Sequence, residues 1–148
     1  QARACAGFDA NVFAPKRGTM DTIEIQIGDF LGDPNAKMVK AEAHIIGKGL
    51  AVNQYDDDYH PADWRVTHLA SGRAIIRGAR EAETAINAAL CLLQLDVDWT
   101  GPASAVLSQF LGDVNVDRCE SLAAICRRFD MCRASDVAPR PSWAVPRG

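Results

Sequence analysis

From residue 22 onward apolar and polar positions alternate, with Ile23, Ile25 and Ile27 set against Glu24, Gln26 and Gly28. A two-residue period of this kind belongs to a strand with one buried face. The next segment, "GDPNAKMVKAEAHIIGKG", carries two patterns at once. Asp33 followed by Pro34 suits a helix start, and Gly47 suits a helix stop. Val39, Ala41, Ala43 and Ile45, alternating with Lys40, Glu42 and His44, suit a strand instead. Propensity alone favours the helix. The strand, however, lets "IIGKGLAV" close as a hairpin, with Gly47 and Gly49 supplying the unusual φ angles of a tight connection, so a strand is expected here.

A second hairpin is expected over "DWRVTHLASGRAIIRG". A two-residue turn at Ser71-Gly72 would mix apolar and charged groups on one face. A three-residue loop, Ala70-Ser71-Gly72 with Gly72 left-handed, pairs Leu69 with Arg73 and separates the faces. Trp64, Val66, His68, Ala74 and Ile76 then share the buried face. Arg65, Thr67, Leu69, Arg73, Ile75 and Arg77 share the other.

Helical periodicity follows. "AREAETAINAALCLLQL" sets Ala82, Ala85, Ile86, Ala89, Leu90 and Leu93 on one stripe, and its second half is apolar nearly all round, so it needs cover on two sides. "DVDWTGP" breaks the pattern. Pro102 can open a shorter helix through Val106, Leu107, Phe110 and Leu111, ended by Gly112. Asp117 can start another, with Cys119, Leu122, Cys126 and Phe129 on one seam and Arg118, Glu120, Arg127 and Arg128 wet. The expected fold is therefore α+β: an antiparallel sheet of three to five strands over residues 22–77, backed by one long helix at 79–95 and closed by a C-terminal helical pair. Residues 1–21 read as an N-terminal arm, 22–132 as a single domain and 133–148 as a Pro-rich extended tail. No internal repeat is found.

Composition narrows the function classes. At 148 residues the chain has the length of one domain with a core of its own. The net charge of −3 opposes a polyanion, so nucleic-acid binding would need a local basic patch. Five cysteines show neither a zinc spacing nor a disulfide framework. Cys91, Cys119 and Cys126 read as small buried hydrophobes in a reducing compartment. With no long apolar run and no hydrophobic core of signal-peptide type near residue 1, the chain reads as cytoplasmic, without a membrane partner.

Candidate chemistry concentrates in "YDDDYHPADWRVTHLASGRAI". Asp56, Asp57, Asp58, His60, Asp63 and His68 are metal-ligand types, and a bound divalent ion could activate water for hydrolysis. Their spacing matches no metal motif, and consecutive aspartates on an extended chain point apart, so a solvated acidic loop is the simpler reading. His68 falls beside Trp64 and Val66 with no nucleophile convincingly placed, as a structural histidine would. No catalytic residue, metal or cofactor is assigned.

The row of Arg65, Thr67, Arg73 and Arg77 ranks first, because arginine pairs with phosphate oxygens or guanine edges and a two-stranded ribbon fits a major groove. The strand–strand–strand–helix order resembles small DNA-binding modules that read a groove with a sheet, a likeness of topology alone. The leading expectation is a nucleic-acid-binding accessory or regulatory protein. A protein-binding adaptor or inhibitor, or a homodimer, comes second on the strength of the acidic loop, the apolar helix and Trp143. A small metal-assisted hydrolase comes third.

Overall fold

The computed structural model describes residues 20–27, 37–55 and 63–133. The acidic residues Asp56 to Asp58, His60, the N-terminal arm before residue 20 and the tail after Arg133 lie outside them. Six strands follow one another in space as they do in sequence: β1 (Asp21–Ile27), β2 (Lys37–Gly47), β3 (Leu50–Tyr55), β4 (Asp63–His68), β5 (Arg73–Ala79) and β6 (Cys132–Arg133), every pair antiparallel. Three helices, α1 (Ala82–Leu92), α2 (Ala103–Ser108) and α3 (Val116–Phe129), with a single 3-10 turn at Asp113–Asn115 before the last, run between β5 and β6.

The class is α+β, as expected, but the described residues form six strands rather than three to five, and the long helix is shorter than 79–95. The extra strand is made by Cys132 and Arg133, two residues with no period to reveal them, which pair with Arg77 and Ile76. The segment with two readings is a strand, β2, because its hairpin with β3 closes tightly: Gly47, Lys48 and Gly49 all have positive φ. Gly49 is additionally constrained by space, since a Cβ there would stand 2.5 Å from the Trp99 carbonyl oxygen.

The two faces of the sheet are unlike. Leu50, Val52, Val66 and Ile76 pack against Ala85, Ala88, Ala89 and Leu92 of α1, and Leu122 and Ile125 of α3 join the same core. The half of α1 that reads as apolar all round is covered on both sides in this way. Trp99 seals the end of the layer. It is 2% exposed, its ring lies 5.9 Å from that of Phe110, and its indole N–H donates to the Leu92 carbonyl at the end of α1, which also accepts from the Leu95 amide.

On the opposite face Ile23, Ile25, Ala43 and Ala51, with Val39, Ala41 and Leu69 beside them, form a smaller cluster. Alanines there let the sheet curl until the free edge of β1 meets the turn between β4 and β5. The Gln26 amide donates to the Gly72 carbonyl at 2.8 Å. Gly72 is left-handed, as expected, and a Cβ on it would stand 2.7 Å from the Glu24 carbonyl oxygen. The sheet is thus nearly a small barrel, with an outer face under the helices and a narrow inner face.

Candidate functional site

The β4–β5 hairpin departs from the expected register. His68, not Leu69, lies opposite Arg73, and Thr67 lies opposite Ala74. Two register shifts along β4, between Trp64 and Val66 and between Val66 and Thr67, place an extra β5 residue each time. Bulges of this kind break strict alternation. Trp64, Val66, His68 and Ile76 are on the helix-covered face as expected, but Ala74 moves to the inner face with Thr67 and Ala51, and Ile75 joins the helix-side core. Both β-branched residues at 75 and 76 are buried, so hydrophobicity alone could not locate the bulge. Gly78 at φ 102° was the available signal, since an isolated glycine within a strand pattern often marks one.

The bulges divide the arginine row. Arg65 and Arg77 converge on Asp63, at 3.0 Å and 3.9 Å, and the three side chains are only 12%, 19% and 9% exposed. Arg73 goes elsewhere: its Nε donates to the Gln26 side-chain oxygen on β1 at 2.8 Å, and its Nη1 is buried without a hydrogen-bond partner. Thr67 is buried, and its hydroxyl donates to the side-chain oxygen of Asn53, itself fully buried. Arg65, Arg77 and Asp63 form a mostly buried ionic cluster rather than a free row of donors.

His68 is fully buried. Its Nδ1 lies 2.7 Å from the Ser71 hydroxyl oxygen, which also accepts from the Arg73 amide at 3.2 Å. Burial pushes its pKa below the ordinary histidine value, opposed by the nearby backbone of Gly101 and Trp99, yet neither completes a hydrogen bond to Nε2. The ring's hydrogen bond to Ser71 stays within the β4–β5 turn, while the link to the β2–β3 turn is the backbone bond from the Leu69 amide to the Gly49 carbonyl at 2.8 Å. Ser71 is the neighbour that sequence reasoning missed. It belongs to the same turn and shares its hydroxyl with the backbone, which is the pattern of a turn-stabilising serine rather than of an activated nucleophile.

No family model, curated protein or solved structure matches the chain. Among the described residues no group of three or more histidine, cysteine or carboxylate side chains is arranged to hold a metal ion, and no helix is long and apolar enough to cross a membrane. The acidic residues 56–58 and His60, on which the hydrolase expectation chiefly rested, lie outside the described residues.

The cysteines bring a correction. Cys91 is disulfide-bonded, whereas Cys119, Cys126 and Cys132 are free. The odd count of five and the absence of a short spacing gave no bridge to read. The inference of a reducing compartment loses its premise, because structural disulfides persist mainly in oxidising ones. Cys126 fits its expected role: burial pushes its thiol up to about 11, so it stays protonated and packs as a hydrophobe.

A second surface was overlooked at the sequence level. Leu111, Val114 and Val116 are 49%, 91% and 53% exposed around the 3-10 turn before α3. That segment is held in shape by the Asn115 side chain, which donates to the Leu111 carbonyl and accepts from Arg118 at 2.9 Å. Arg118 in turn reaches Asp96 at 3.4 Å. The signal was present in the sequence, because "LGDVNV" places three large aliphatic residues in a segment too short and polar to bury them.

Proposed function

We propose that the chain is a protein-binding module with no catalytic step of its own, and that it meets its partner through the ridge at residues 111–117. The observation that carries this reading is the 91% exposure of Val114 between two further exposed aliphatic residues. Single exposed apolar residues are ordinary, but three within six positions on a turn braced by its own hydrogen bonds form a pre-ordered apolar patch. Asp113, Asp117 and Glu120 stand exposed beside it, while the positive charge of Arg118 is already engaged by Asp96. The complementary partner is a protein with an apolar recess and a basic rim.

The nucleic-acid reading draws less support, because Thr67 has spent its hydroxyl, Arg73 has turned to Gln26, and Arg65 and Arg77 share Asp63. Placing a photo-crosslinking residue at position 114 of the full chain tests the proposal. A partner protein trapped there is expected to rebind the purified parent chain and to lose about tenfold in affinity for Val114→Asp. Absence of any adduct, or binding indifferent to Val114→Asp, overturns it. Salt-dependent binding of duplex DNA or RNA that weakens on joint replacement of Arg65, Arg73 and Arg77 by alanine would restore the hairpin as the site.

A further inference from the structure

We infer that Asn115 is a two-position latch that sets the ridge, and that the conformation seen is the latched one; its consequence for binding rests on the ridge being a contact surface. Asn115 stands directly before Val116, the place from which an asparagine ordinarily caps a helix. Here it caps nothing. Its backbone lies at φ −109° and ψ 13°, away from the extended conformation of a capping residue, and its side chain bonds no amide in the first turn of α3. The side chain points backward instead. Its nitrogen donates to the Leu111 carbonyl and, at 3.4 Å, to the carbonyl of Ser108, the last residue of α2, while its oxygen accepts from Arg118 at 2.9 Å. The same guanidinium donates to the Gln109 carbonyl at 3.4 Å, and the Gln109 side chain holds both the amide and the carbonyl of Asp98 at 2.8 Å. Through these links the latch reaches the loop that carries Trp99.

Two sets of backbone groups compete for this one side chain. Bonding backward, it holds the Leu111 and Ser108 carbonyls while the 3-10 turn stays wound, with the Asn115 amide on the Gly112 carbonyl at 3.1 Å and the Val116 amide on the Asp113 carbonyl. Val114, in the middle of that turn, is 91% exposed. Turned forward, the same side-chain oxygen would accept from the amide of Asp117 or Arg118, the second and third residues of α3. Forward capping needs an extended ψ at Asn115, so it cannot occur while the turn is wound. The two positions exclude each other.

Asparagine can serve both sets because it carries a donor for the carbonyls and an acceptor for the amides. The backward position engages two carbonyls and a guanidinium, a charged donor of the stronger kind, and is the one populated. The capped position is the minor state. A partner seated on Val114 favours the wound turn and so selects the latched position. Aspartate, with no donor, can serve only the second set.

Amide hydrogen exchange of the full chain, read residue by residue by NMR for the parent, Asn115→Asp and Asn115→Ala, tests this. In Asn115→Asp the Leu111 and Ser108 carbonyls lose their donor and meet a carboxylate, which is also a strong cap at a helix start. The exchange pattern is expected to invert. Amides at positions 115 and 116 should exchange about fivefold faster, and those of Asp117 and Arg118 about fivefold slower. In Asn115→Ala the first pair should also speed up with no slowing of the second, because alanine does neither job. A brace with no second position predicts that both variants loosen residues 115–118 alike. That outcome overturns the inference, as does unchanged exchange at 115 and 116 in Asn115→Asp. The readout needs no partner: if the pattern inverts while position 114 traps no protein, the latch stands and the protein-binding reading fails. If a partner is trapped and the pattern does not invert, the reading stands and the latch fails.

Discussion

The two faces of one sheet solve the burial problem by different physics. Adjacent residues show it: Leu50 points into the large core beneath the helices, and Ala51 points into the small cluster enclosed by the curl. The outer face is held by apolar area, with Val52, Val66, Ile75, Ile76, Leu92 and Trp99 all buried. The inner face has little apolar volume to offer. Its closure depends on alanines, a glycine contact with β1, the buried Thr67–Asn53 hydrogen bond and the Asp63–Arg65–Arg77 cluster. A face built of large side chains loses packing and keeps a cavity when one is truncated, whereas a face built of paired polar groups leaves a desolvated partner behind when one goes.

The largest effect should come from the apolar face. Leu50 is fully buried, and Leu50→Ala removes its packing and leaves a cavity that α1 can only partly fill. A loss of about 4 kcal/mol in unfolding free energy is expected by denaturant titration. Next comes Asp63→Ala, which leaves two mostly buried guanidinium groups without their shared carboxylate. About 3 kcal/mol is expected, at the low end for breaking a buried ion pair. The contrast between the faces is sharpened by adding Arg77→Met to Asp63→Ala. Replacing one of the two guanidinium groups by an apolar side chain should return part of the lost stability, whereas no second substitution that merely deletes volume should rescue Leu50→Ala. If Asp63→Ala costs less than about 1 kcal/mol, the cluster is solvated and the inner face is not held by charge pairing.

Much of this was legible in the sequence where a period was sustained. Ile23 and Ile25 announce β1, the two glycines around Lys48 decide β2 against its helical propensity, and the seam of Leu122 and Cys126 gives α3 to within one residue of its start. What failed did so where pairing departs from period. The bulges in β5 insert residues that are themselves apolar, so alternation looks unbroken while the partners shift, and Arg73 is carried away from Arg65 and Arg77. Asp63 was grouped with the acidic loop. Its spacing of two from Arg65 on a strand already set the two on one face, which was the sign of an ion pair. Trp99 sat in a segment recognisable only as a break, because the Leu92 carbonyl and the Phe110 ring that hold it come together only after folding.

His68 joins the two regimes, a polar side chain buried at the rim of the apolar core, and it gives the smallest and most selective effect. Its folded pKa is depressed by burial, so the folded state binds fewer protons than the unfolded chain once the pH falls below the ordinary histidine value of about 6.5. Above that value its contribution to stability is complete, and as the pH falls toward the folded pKa the contribution is progressively lost. Between pH 6.5 and 5.5 the loss can reach at most about 1 kcal/mol for one group. Denaturant midpoints measured across that interval should fall for the parent and stay flatter for His68→Gln, which can keep a polar contact to Ser71 but takes up no proton. All other titratable side chains are common to both proteins, so the difference isolates the ring. An equal slope in parent and variant would mean that the imidazole accepts its proton within the fold. Nε2 would then be able to donate to the nearby Trp99 or Gly101 carbonyl, and the junction between the faces would be a hydrogen-bonded cation rather than a buried neutral ring.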